Sequence, residues 1–304
     1  MRIDATTLLL ALLALLAVAF AVAWARRLRG EADAAPDSKS IAIGALTNFF
    51  DTLGVGSFAP TTWLFRTTGL VPDRLLPGTL NVGHALPSVA QALIFIAIVE
   101  VEPMTLSAMI GAAIAGAWIG ATVVAGWSRR RVRLGMGLAL LAAAGLLVRQ
   151  LSQGSPIGAD AVALDGGRLV LGVVGNFVLG AMMTVGVGLY APCMILVSLL
   201  GMNAKAAFPI MMGSCAFLMP IAGMRFVERR AYAPGVALGL TLGGIPAVLV
   251  AAYVVRSLPL DAVRVLVVGV ATYTAISLLR AATRGEETVA DPDPAHGDAQ
   301  TSRR

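Results

Sequence analysis

The chain has 304 residues, of which 58% are hydrophobic and 13% are charged, and its mean hydropathy is +0.83. A soluble protein usually carries about a quarter charged residues, so this composition excludes an ordinary soluble domain and predicts a membrane protein. The formal net charge of +6 does not indicate nucleic acid, because the arginines lie at the ends of apolar blocks, where membrane topology explains them. We therefore expect the lipid bilayer as a partner and no nucleic acid.

The first apolar block runs from about residue 6 to residue 25 and is followed by the basic run Arg26-Arg27-Leu28-Arg29. A block of this length can cross about 30 Å of hydrocarbon. Ala23-Trp24-Ala25 resembles a signal-peptide cleavage site, but the block is longer than a usual signal core and its positive charge follows it. We therefore favour an uncleaved helix and assign residues 1–39 to this helix and a polar linker.

One segment of the chain occurs twice. Thr52-Leu-Gly-Val-Gly-Ser-Phe-Ala-Pro60 recurs as Thr184-Val-Gly-Val-Gly-Leu-Tyr-Ala-Pro192, with six of nine positions identical at an offset of 132. The offset continues beyond the motif, where Gly69 falls on Gly201 and Pro77 on Pro209. The chain is therefore a duplicated unit, with repeat one at 40–150, a polar connector at 151–167 and repeat two at 168–281.

Each repeat is predicted to contain a broken segment and then three unbroken helices. In repeat one these are a broken segment at about 41–68 and helices near 78–99, 103–126 and 132–150. In repeat two they are a broken segment at about 168–200 and helices near 206–225, 233–256 and 260–280. The tail, 282–304, contains Asp-Pro-Asp-Pro and few apolar residues, so it is predicted to be disordered.

The distribution of Lys and Arg indicates how the broken segments lie in the membrane. If each crosses once, the basic residues divide 13 against 10 between the faces, whereas re-entrant hairpins divide them 17 against 6. The positive-inside rule favours the hairpins. Because a hairpin and three crossings make an odd number, the repeats are predicted to be inverted, with the N-terminus outside and the tail in the cytoplasm. The predicted fold class is all-α, a polytopic membrane protein with two such repeats after one N-terminal helix.

The glycines at the two breaks indicate a binding site. They permit backbone dihedrals closed to other residues and leave N–H groups uncovered, and irregular backbone at membrane depth needs protein or a water-filled cavity around it. The arms that return from the breaks begin with the positive end of a helix dipole, which attracts anions. The alternative is close helix packing. The predicted binding residues are Thr52, Gly54, Gly56 and Ser57 in repeat one and Thr184, Gly186 and Gly188 in repeat two.

Few polar residues lie within the apolar segments, so each is a candidate. Asp51 adjoins the first break, and we weigh a proton-coupling acid against a cavity-wall acid bonded to backbone. His84 is either a structural hydrogen-bonding residue or a proton relay or substrate contact, since its charge can switch near neutral pH. Asn48, Asn81 and Asn176 are polar enough to line the cavity, and each is equally suited to cap or bridge helices.

No pattern of catalytic residues stands out. The chain has two histidines, no H-E-x-x-H, no G-x-S-x-G and no Walker-type loop. Its two cysteines, Cys193 and Cys215, lie in apolar segments without C-x-x-C spacing. We therefore expect no enzyme, no cofactor and no metal.

The residues around the first break resemble a known family. Thr47-Asn-Phe-Phe-Asp-Thr-Leu-Gly-Val-Gly-Ser-Phe-Ala-Pro-Thr-Thr62 and Pro77-Gly-Thr-Leu-Asn-Val-Gly-His84 are similar to the TauE/SafE sulfite-exporter-like permeases, over about residues 40–280. The resemblance implies transport of a small sulfur-containing anion, such as sulfite or an organosulfonate, across the bacterial inner membrane. The family often has three consecutive glycines after the first break, where this chain has Gly56-Ser57-Phe58.

Residues and resemblance together predict a secondary transporter of a small anion. It would work by alternating access around two facing hairpins, coupled to protons or to the anion gradient. The alternatives are a non-transporting membrane scaffold or assembly factor and an anion channel. A membrane enzyme would need a convergent catalytic set that the sequence does not offer.

Overall fold

The computed structural model describes residues 4–31, 33–124, 128–152, 161–183 and 188–283. Within these ranges the regular structure is helical, apart from an isolated bridge between Ala161 and Met202. In chain order the helices are α1 (Ala5–Leu28), α2 (Ser38–Thr52), α3 (Phe58–Thr68), α4 (Leu76–Ile98), α5 (Pro103–Val124), α6 (Arg129–Ser152), α7 (Gly166–Met183), α8 (Tyr190–Leu199), α9 (Ala207–Glu228), α10 (Pro234–Ser257) and α11 (Leu260–Thr283). Apart from the end of α11, the tail predicted to be disordered lies outside the described residues.

Helix length and composition confirm an all-α membrane protein. Within the described ranges, seven helices are long and apolar enough to cross a bilayer: α1, α4, α6, α7, α9, α10 and α11. Three others are much shorter, with 15 residues in α2, 11 in α3 and 10 in α8. At 1.5 Å per residue these three extend only about 15–22 Å, which is roughly half to two thirds of the hydrocarbon thickness.

Glycine lets two helix pairs approach until their main chains touch. In the α5–α7 pair, Gly116 faces the carbonyl of Phe177 and Gly180 faces that of Ala113. In the α2–α10 pair, Gly243 faces the carbonyl of Ile41. A side chain at any of these glycines would occupy the partner's backbone. Small residues are the usual means of helix association in membranes, where lipid and side chains are equally apolar.

Contacts beside the first residues of several helices define one end of the bundle, which we call the near face. The amide of Ala233, just before α10, donates to the hydroxyl of Thr79 in the first turn of α4 at 2.9 Å. Gly235 at the start of α10 donates its amide to the carbonyl of Asp33, a few residues before α2, at 3.0 Å. Helices α2, α4 and α10 therefore begin at the same end.

The opposite end, which we call the far face, is defined in the same way. The amide of Glu102, next to α5, donates to the carbonyl of Val162 at 2.8 Å. The amide of Asn203, shortly after α8, donates to the carbonyl of Ala161 at 2.9 Å. The segments that precede α5 and α7 therefore lie beside the segment that joins α8 to α9.

Helices α4 and α9 form the centre of the bundle. They pack along each other, and Phe95 stacks on Phe208 with ring centroids 5.1 Å apart. Helix α1 packs outside them, where the indole of Trp24 donates to the hydroxyl of Tyr232 at 3.2 Å. Helix α6 pairs with α11, and α8 is surrounded by α6, α7, α9 and α11. Helix α3, in contrast, packs on α2 and α4 and leaves Trp63 65% exposed.

Candidate functional site

A cavity of about 490 Å³ lies between the two helix interruptions. We call residues 53–57 the first break, because α2 ends before them and α3 begins after them. We call residues 184–189, between α7 and α8, the second break. Val55, Gly56 and Ser57 of the first break and Gly188 and Leu189 of the second break line the cavity. Residues of α2, α3, α4, α5, α7, α8, α9 and α11 complete the walls.

The first break is built from two glycines in the left-handed region. Gly54 has φ +95° and Gly56 has φ +88°, backbone conformations that residues other than glycine rarely adopt. They differ in surroundings. A Cβ on Gly54 would lie 2.7 Å from the sulfur of Met194 in α8, whereas nothing lies within 4 Å of one on Gly56. Gly54 therefore packs against the second repeat, and Gly56 faces open space in the cavity.

Both returning arms begin with an aromatic residue, Ala and Pro. In α3 the first bonded amide is that of Thr61, which donates to the carbonyl of Ser57 at 3.0 Å. In α8 it is that of Cys193, which donates to Leu189 at 3.0 Å. The preceding amides have no acceptor in the helix, and Pro60 contributes none. Each arm therefore begins, next to the cavity, with N–H groups that have no acceptor in their own helix, and that of Ser57 is hydrogen-bonded to Asp51.

Asp51 belongs to a hydrogen-bonded chain that the sequence did not suggest. The Nε2 of Gln91 in α4 donates to Asp51 Oδ2 at 2.9 Å and to Thr52 Oγ1 at 3.0 Å. The hydroxyl of Tyr190, the first residue of α8, donates to Gln91 Oε1 at 3.1 Å. Asp51 and Tyr190 line the cavity, and all four side chains are buried.

His84 is fully buried and bonded at both ring nitrogens. Its Nδ1 lies 3.1 Å from Asn48 Oδ1 and its Nε2 lies 3.1 Å from Thr61 Oγ1. The hydroxyl of Thr61 also donates to the carbonyl of Ser57 at 2.7 Å. His84 thus joins α2 to the first turn of α3 and fixes the angle between the two arms at the first break.

The predicted site residues divide into four groups. Those in the cavity lining are Asp51, Gly56, Ser57, Asn81 and Gly188. Those that lie behind the lining are Asn48, Thr52, Gly54 and His84, so they support the site without contact to the cavity. Thr184 and Gly186 lie outside the described residues. Asn176 bridges helices, since its Nδ2 donates to the carbonyl of Met109 in α5 at 2.7 Å.

Three residues of the site were missed: Gln91, Tyr190 and Arg225. Gln91 has a signal in the sequence, because Asn81, His84, Ser88 and Gln91 recur at spacings of three, four and three, which puts them on one face of α4. Arg225 has none, since an arginine near a helix end is also what topology requires. Tyr190 depends on the position of α8 beside α4, which local sequence does not specify.

The cavity is mostly apolar, with two charged side chains at different places. Asp51 lies at the first break, and Arg225 lies in the last turn of α9, near the near face. Arg225 forms no ion pair and no side-chain hydrogen bond with the described residues. Phe58, Trp118 and Tyr190 contribute aromatic rings to the wall. A small anion would therefore find a guanidinium, the first-turn amides of two helices and apolar surface around one space.

Among the described residues, no group of three or more His, Cys, Asp or Glu side chains is arranged to hold a metal ion. The cysteines are reduced and buried, and Cys215 faces the cavity while Cys193 does not.

Comparisons with models of protein families, with curated proteins and with solved structures give no match for this chain. The similarity to the TauE/SafE permeases stays a prediction that rests on the two quoted stretches of sequence.

Proposed function

We propose that the protein is a secondary transporter of a small anion that works by alternating access. The observation that carries this proposal is that both breaks, which derive from the duplicated motif, line a single cavity. Paired interrupted helices at the interface between repeats are the usual substrate site of secondary transporters. A scaffold protein would have no need of a cavity of about 490 Å³ between two such interruptions.

The pattern of helix pairs supports inverted repeats. If repeat one is exchanged with repeat two, α2 replaces α7, α4 replaces α9, α5 replaces α10 and α6 replaces α11. Under that exchange the α2–α10 pair becomes the α7–α5 pair, and both pairs are extensive. The α4–α9 and α6–α11 pairs each become themselves, as they must across a twofold axis. The breaks would then approach the cavity from opposite sides of the membrane.

Contacts beside the broken segments support re-entrant hairpins. Asn203 after α8 bonds to Ala161 before α7, so the second broken segment begins and ends at the far face. The segment before α2 and the start of α4 both contact the region around Ala233, so the first begins and ends at the near face. Helix α7 has 18 residues, enough for a crossing by length alone, and in this proposal it is a long inward arm.

The charge around the cavity supports an anion as substrate. The guanidinium of Arg225 lies at the near-face end, and the first turns of α3 and α8, which no side chain caps, lie at the inner end. A sulfur-containing anion such as sulfite or an organosulfonate is the substrate that the family resemblance implies. Because basic residues end α1 and α9 at the near face, that face would be cytoplasmic in a bacterial inner membrane.

A ligand-stabilisation screen tests this proposal directly. The purified full-length protein is heated with sulfite, thiosulfate, methanesulfonate, acetate or phosphate, each against chloride at equal ionic strength. A bound anion at about 100 times its Kd adds about 2.7 kcal/mol, which raises the Tm by several degrees. A stabilising anion should also exchange across proteoliposomes that contain its unlabelled form on the other side.

The outcomes separate the alternatives. Exchange that saturates with concentration supports a transporter, whereas current that increases linearly with voltage would indicate a channel. Absence of both stabilisation and exchange for every anion would leave the scaffold.

Topology is tested independently with cysteines placed at Arg74, Arg130 and Lys205 in a Cys193→Ser, Cys215→Ser background. The first two should react from one face and the third from the other, and labelling of Arg74 and Arg130 positions from opposite faces would contradict the hairpins.

A further inference from the structure

One side chain joins the two breaks. Gln91 donates to Asp51, which lies in the last turn of α2, and accepts from Tyr190, which begins α8. Its side chain is fully buried, and Asp51 and Tyr190 are 3% and 7% exposed. A carboxamide donates at its nitrogen and accepts at its oxygen, so its two ends are not interchangeable. The orientation of Gln91 is therefore tied to the state of both neighbours.

The hydrogen atoms of this chain can be counted. One N–H of Gln91 Nε2 goes to Asp51 Oδ2 and the other to Thr52 Oγ1, whose own proton goes to the carbonyl of Asn48 at 2.8 Å. The Tyr190 proton goes to Gln91 Oε1. Every donor has an acceptor as long as Asp51 Oδ2 carries no proton. A proton on Oδ2 would face an N–H group and remove one hydrogen bond.

Rotation of the amide by about 180° restores the lost bond. Gln91 Oε1 then accepts the new proton of Asp51, and Nε2 donates to the oxygen of Tyr190. The same rotation breaks the bond from Nε2 to Thr52 Oγ1, so the Thr52 hydroxyl turns from the carbonyl of Asn48 and donates to Gln91 Oε1 instead. Tyr190 changes from donor to acceptor toward Gln91, so its own O–H is released. The cavity is the space that both Asp51 and Tyr190 line, and an anion there would receive the released hydrogen bond.

We propose that Gln91 is a positioning residue that couples protonation of Asp51 to the release of the Tyr190 hydroxyl for anion binding. This inference rests on the proposed transport of an anion. The proton remains on Asp51, and the O–H bond of Tyr190 is kept throughout. Proton and anion then bind together, because the proton removes the negative charge of Asp51 from the cavity and also supplies a donor at the second break.

The other titratable and charged groups around Asp51 in the described chain are few. Tyr190 of α8 and Cys215 and Arg225 of α9 line the same cavity, with Arg225 in the last turn of α9 at the near-face end. His84 of α4 is bonded to Asn48 and Thr61 and not to Asp51. Helix α10 carries Arg256 in its last turn, and α3 carries Arg66, which pairs with Asp73 at the near face. Asp51 is therefore the acidic group to which a proton at this cavity would bind.

Infrared difference spectroscopy tests the coupling without any transported ligand. Difference spectra between pH 9 and pH 4 are recorded for the purified full-length wild type and for the variants Asp51→Asn, Tyr190→Phe and Gln91→Met. In wild type, the carboxylic C=O band of Asp51 should appear together with a shift of the Tyr190 C–O band, each assigned by loss in its own variant. In Gln91→Met the Asp51 band should appear without the Tyr190 shift. Tyr253→Phe, an exposed tyrosine of α10, is the matched control and should behave as wild type.

Three infrared results would overturn the inference: no Asp51 band in that pH range, an Asp51 band without a Tyr190 shift in wild type, or a Tyr190 shift that survives in Gln91→Met.

A transport measurement covers the case in which Gln91→Met is too unstable to study. With sulfite as probe in proteoliposomes, Tyr190→Phe should lower the ratio of proton-driven uptake to sulfite counterflow by about fivefold, the value of one hydrogen bond. An unchanged ratio would also contradict the coupling. Absence of sulfite counterflow in wild type would count against the proposed function alone.

Discussion

The first and second breaks share a backbone device but not its chemistry. Both occur at the duplicated motif, and both returning arms begin with an aromatic residue, Ala and Pro. Around the first break the neighbouring positions are polar, and their counterparts 132 residues later are small or apolar. The pairs are Asn48 and Gly180, Asp51 and Met183, Thr61 and Cys193, His84 and Ala216, and Gln91 and Gly223.

This difference shows which part of a duplicated site needs two copies. Two interrupted helices are needed to enclose one cavity, so the glycines and prolines are kept on both sides. Buried polar groups are costly unless every one is hydrogen-bonded, and one complete network is enough to serve a single cavity. Helix α8, which follows the second break, therefore contributes the Tyr190 hydroxyl to the network of the first. The other residues that line the cavity there are Met183, Gly188, Leu189 and Ala191.

The two returning arms also differ in how firmly they are held. In α8, Tyr190 and Cys193 are buried among four neighbouring helices. In α3, only Thr61 and Phe65 are buried and Trp63 is largely exposed. Segments with few buried contacts are the first to move, so α3 is the arm that we expect to shift in the proposed transport cycle.

The largest expected effect tests the contact between the breaks at Gly54. Gly54→Val puts a branched side chain into a left-handed backbone, which costs about 1–2 kcal/mol of folding free energy. It also displaces Met194, which costs about 1–3 kcal/mol more. We expect a loss of about 3 kcal/mol in stability, seen as a large fall in Tm in detergent. Gly56→Val has the same backbone strain but open space around its side chain, so the loss of stability should stay near 1–2 kcal/mol. Equal losses for the two variants would contradict the packing of Gly54 against α8.

Much of the helical frame was predictable because a membrane fixes the length of apolar blocks. The helix predicted near 78–99 is α4 at 76–98, and the one near 260–280 is α11 at 260–283. The interruption between α2 and α3 was predictable because Gly54 and Gly56 permit a backbone that other residues do not. These features depend on residues close together in the chain.

The site was less predictable because its contacts join distant residues. His84 was predicted as a possible substrate contact, yet its bonds to Asn48 and Thr61 turn it away from the cavity. Its counterpart in repeat two, Ala216, gave no indication that His84 links α2 to α3. The link from Asp51 to Tyr190 requires α2, α4 and α8 to meet, a condition set by helix packing rather than by the residues next to Asp51.

The second effect tests whether the polar network of the first break holds its two arms. His84→Leu removes two buried hydrogen bonds and leaves Asn48 Oδ1 without a partner, which should cost about 2 kcal/mol. The measurement is the Tm in detergent. The double variant His84→Leu, Asn48→Leu should lose less than the sum of the single variants, because the unpaired oxygen is then absent. Strict additivity would mean that the two residues do not act as a pair.

The third effect tests the charge at the open end of the cavity. Arg225→Gln should raise the apparent KM for sulfite exchange about fivefold, the loss expected for one partly solvated charged contact. The effect should decrease at high ionic strength, since an exposed charge is screened. Arg229→Gln, one turn along and outside the cavity lining, is the matched control. Equal changes in both variants would indicate a general effect of net charge and remove the specific role of Arg225.

The smallest effect compares the first turns of the equivalent helices α5 and α10. Glu102 precedes α5, and its carboxylate accepts from the amides of Met104 and Thr105 at 2.9 and 2.6 Å and from the Thr105 hydroxyl at 2.8 Å. Partial burial acts to raise the pKa of Glu102, but these hydrogen bonds outweigh it and hold the pKa below its usual value. The residue before α10 is Ala233, which has no acidic side chain, and its amide donates to the neutral hydroxyl of Thr79. Acid should therefore loosen the far-face end of α5 and leave the near-face end of α10 unchanged.

The direction of this pH effect follows from linkage. Because the folded protein lowers the pKa of Glu102, the stabilisation is present above the unfolded value of 4.5 and is lost as pH falls through the folded value. At pH 7, Glu102→Gln should lower the stability by about 1 kcal/mol, the usual value of a helix cap. Measured by Tm, the gap between wild type and variant should narrow below pH 4.5, while Thr79→Ala should show a gap that does not change with pH. If the Glu102→Gln gap were equally independent of pH, the carboxylate would not be what caps α5, and the two helix starts would be equivalent after all.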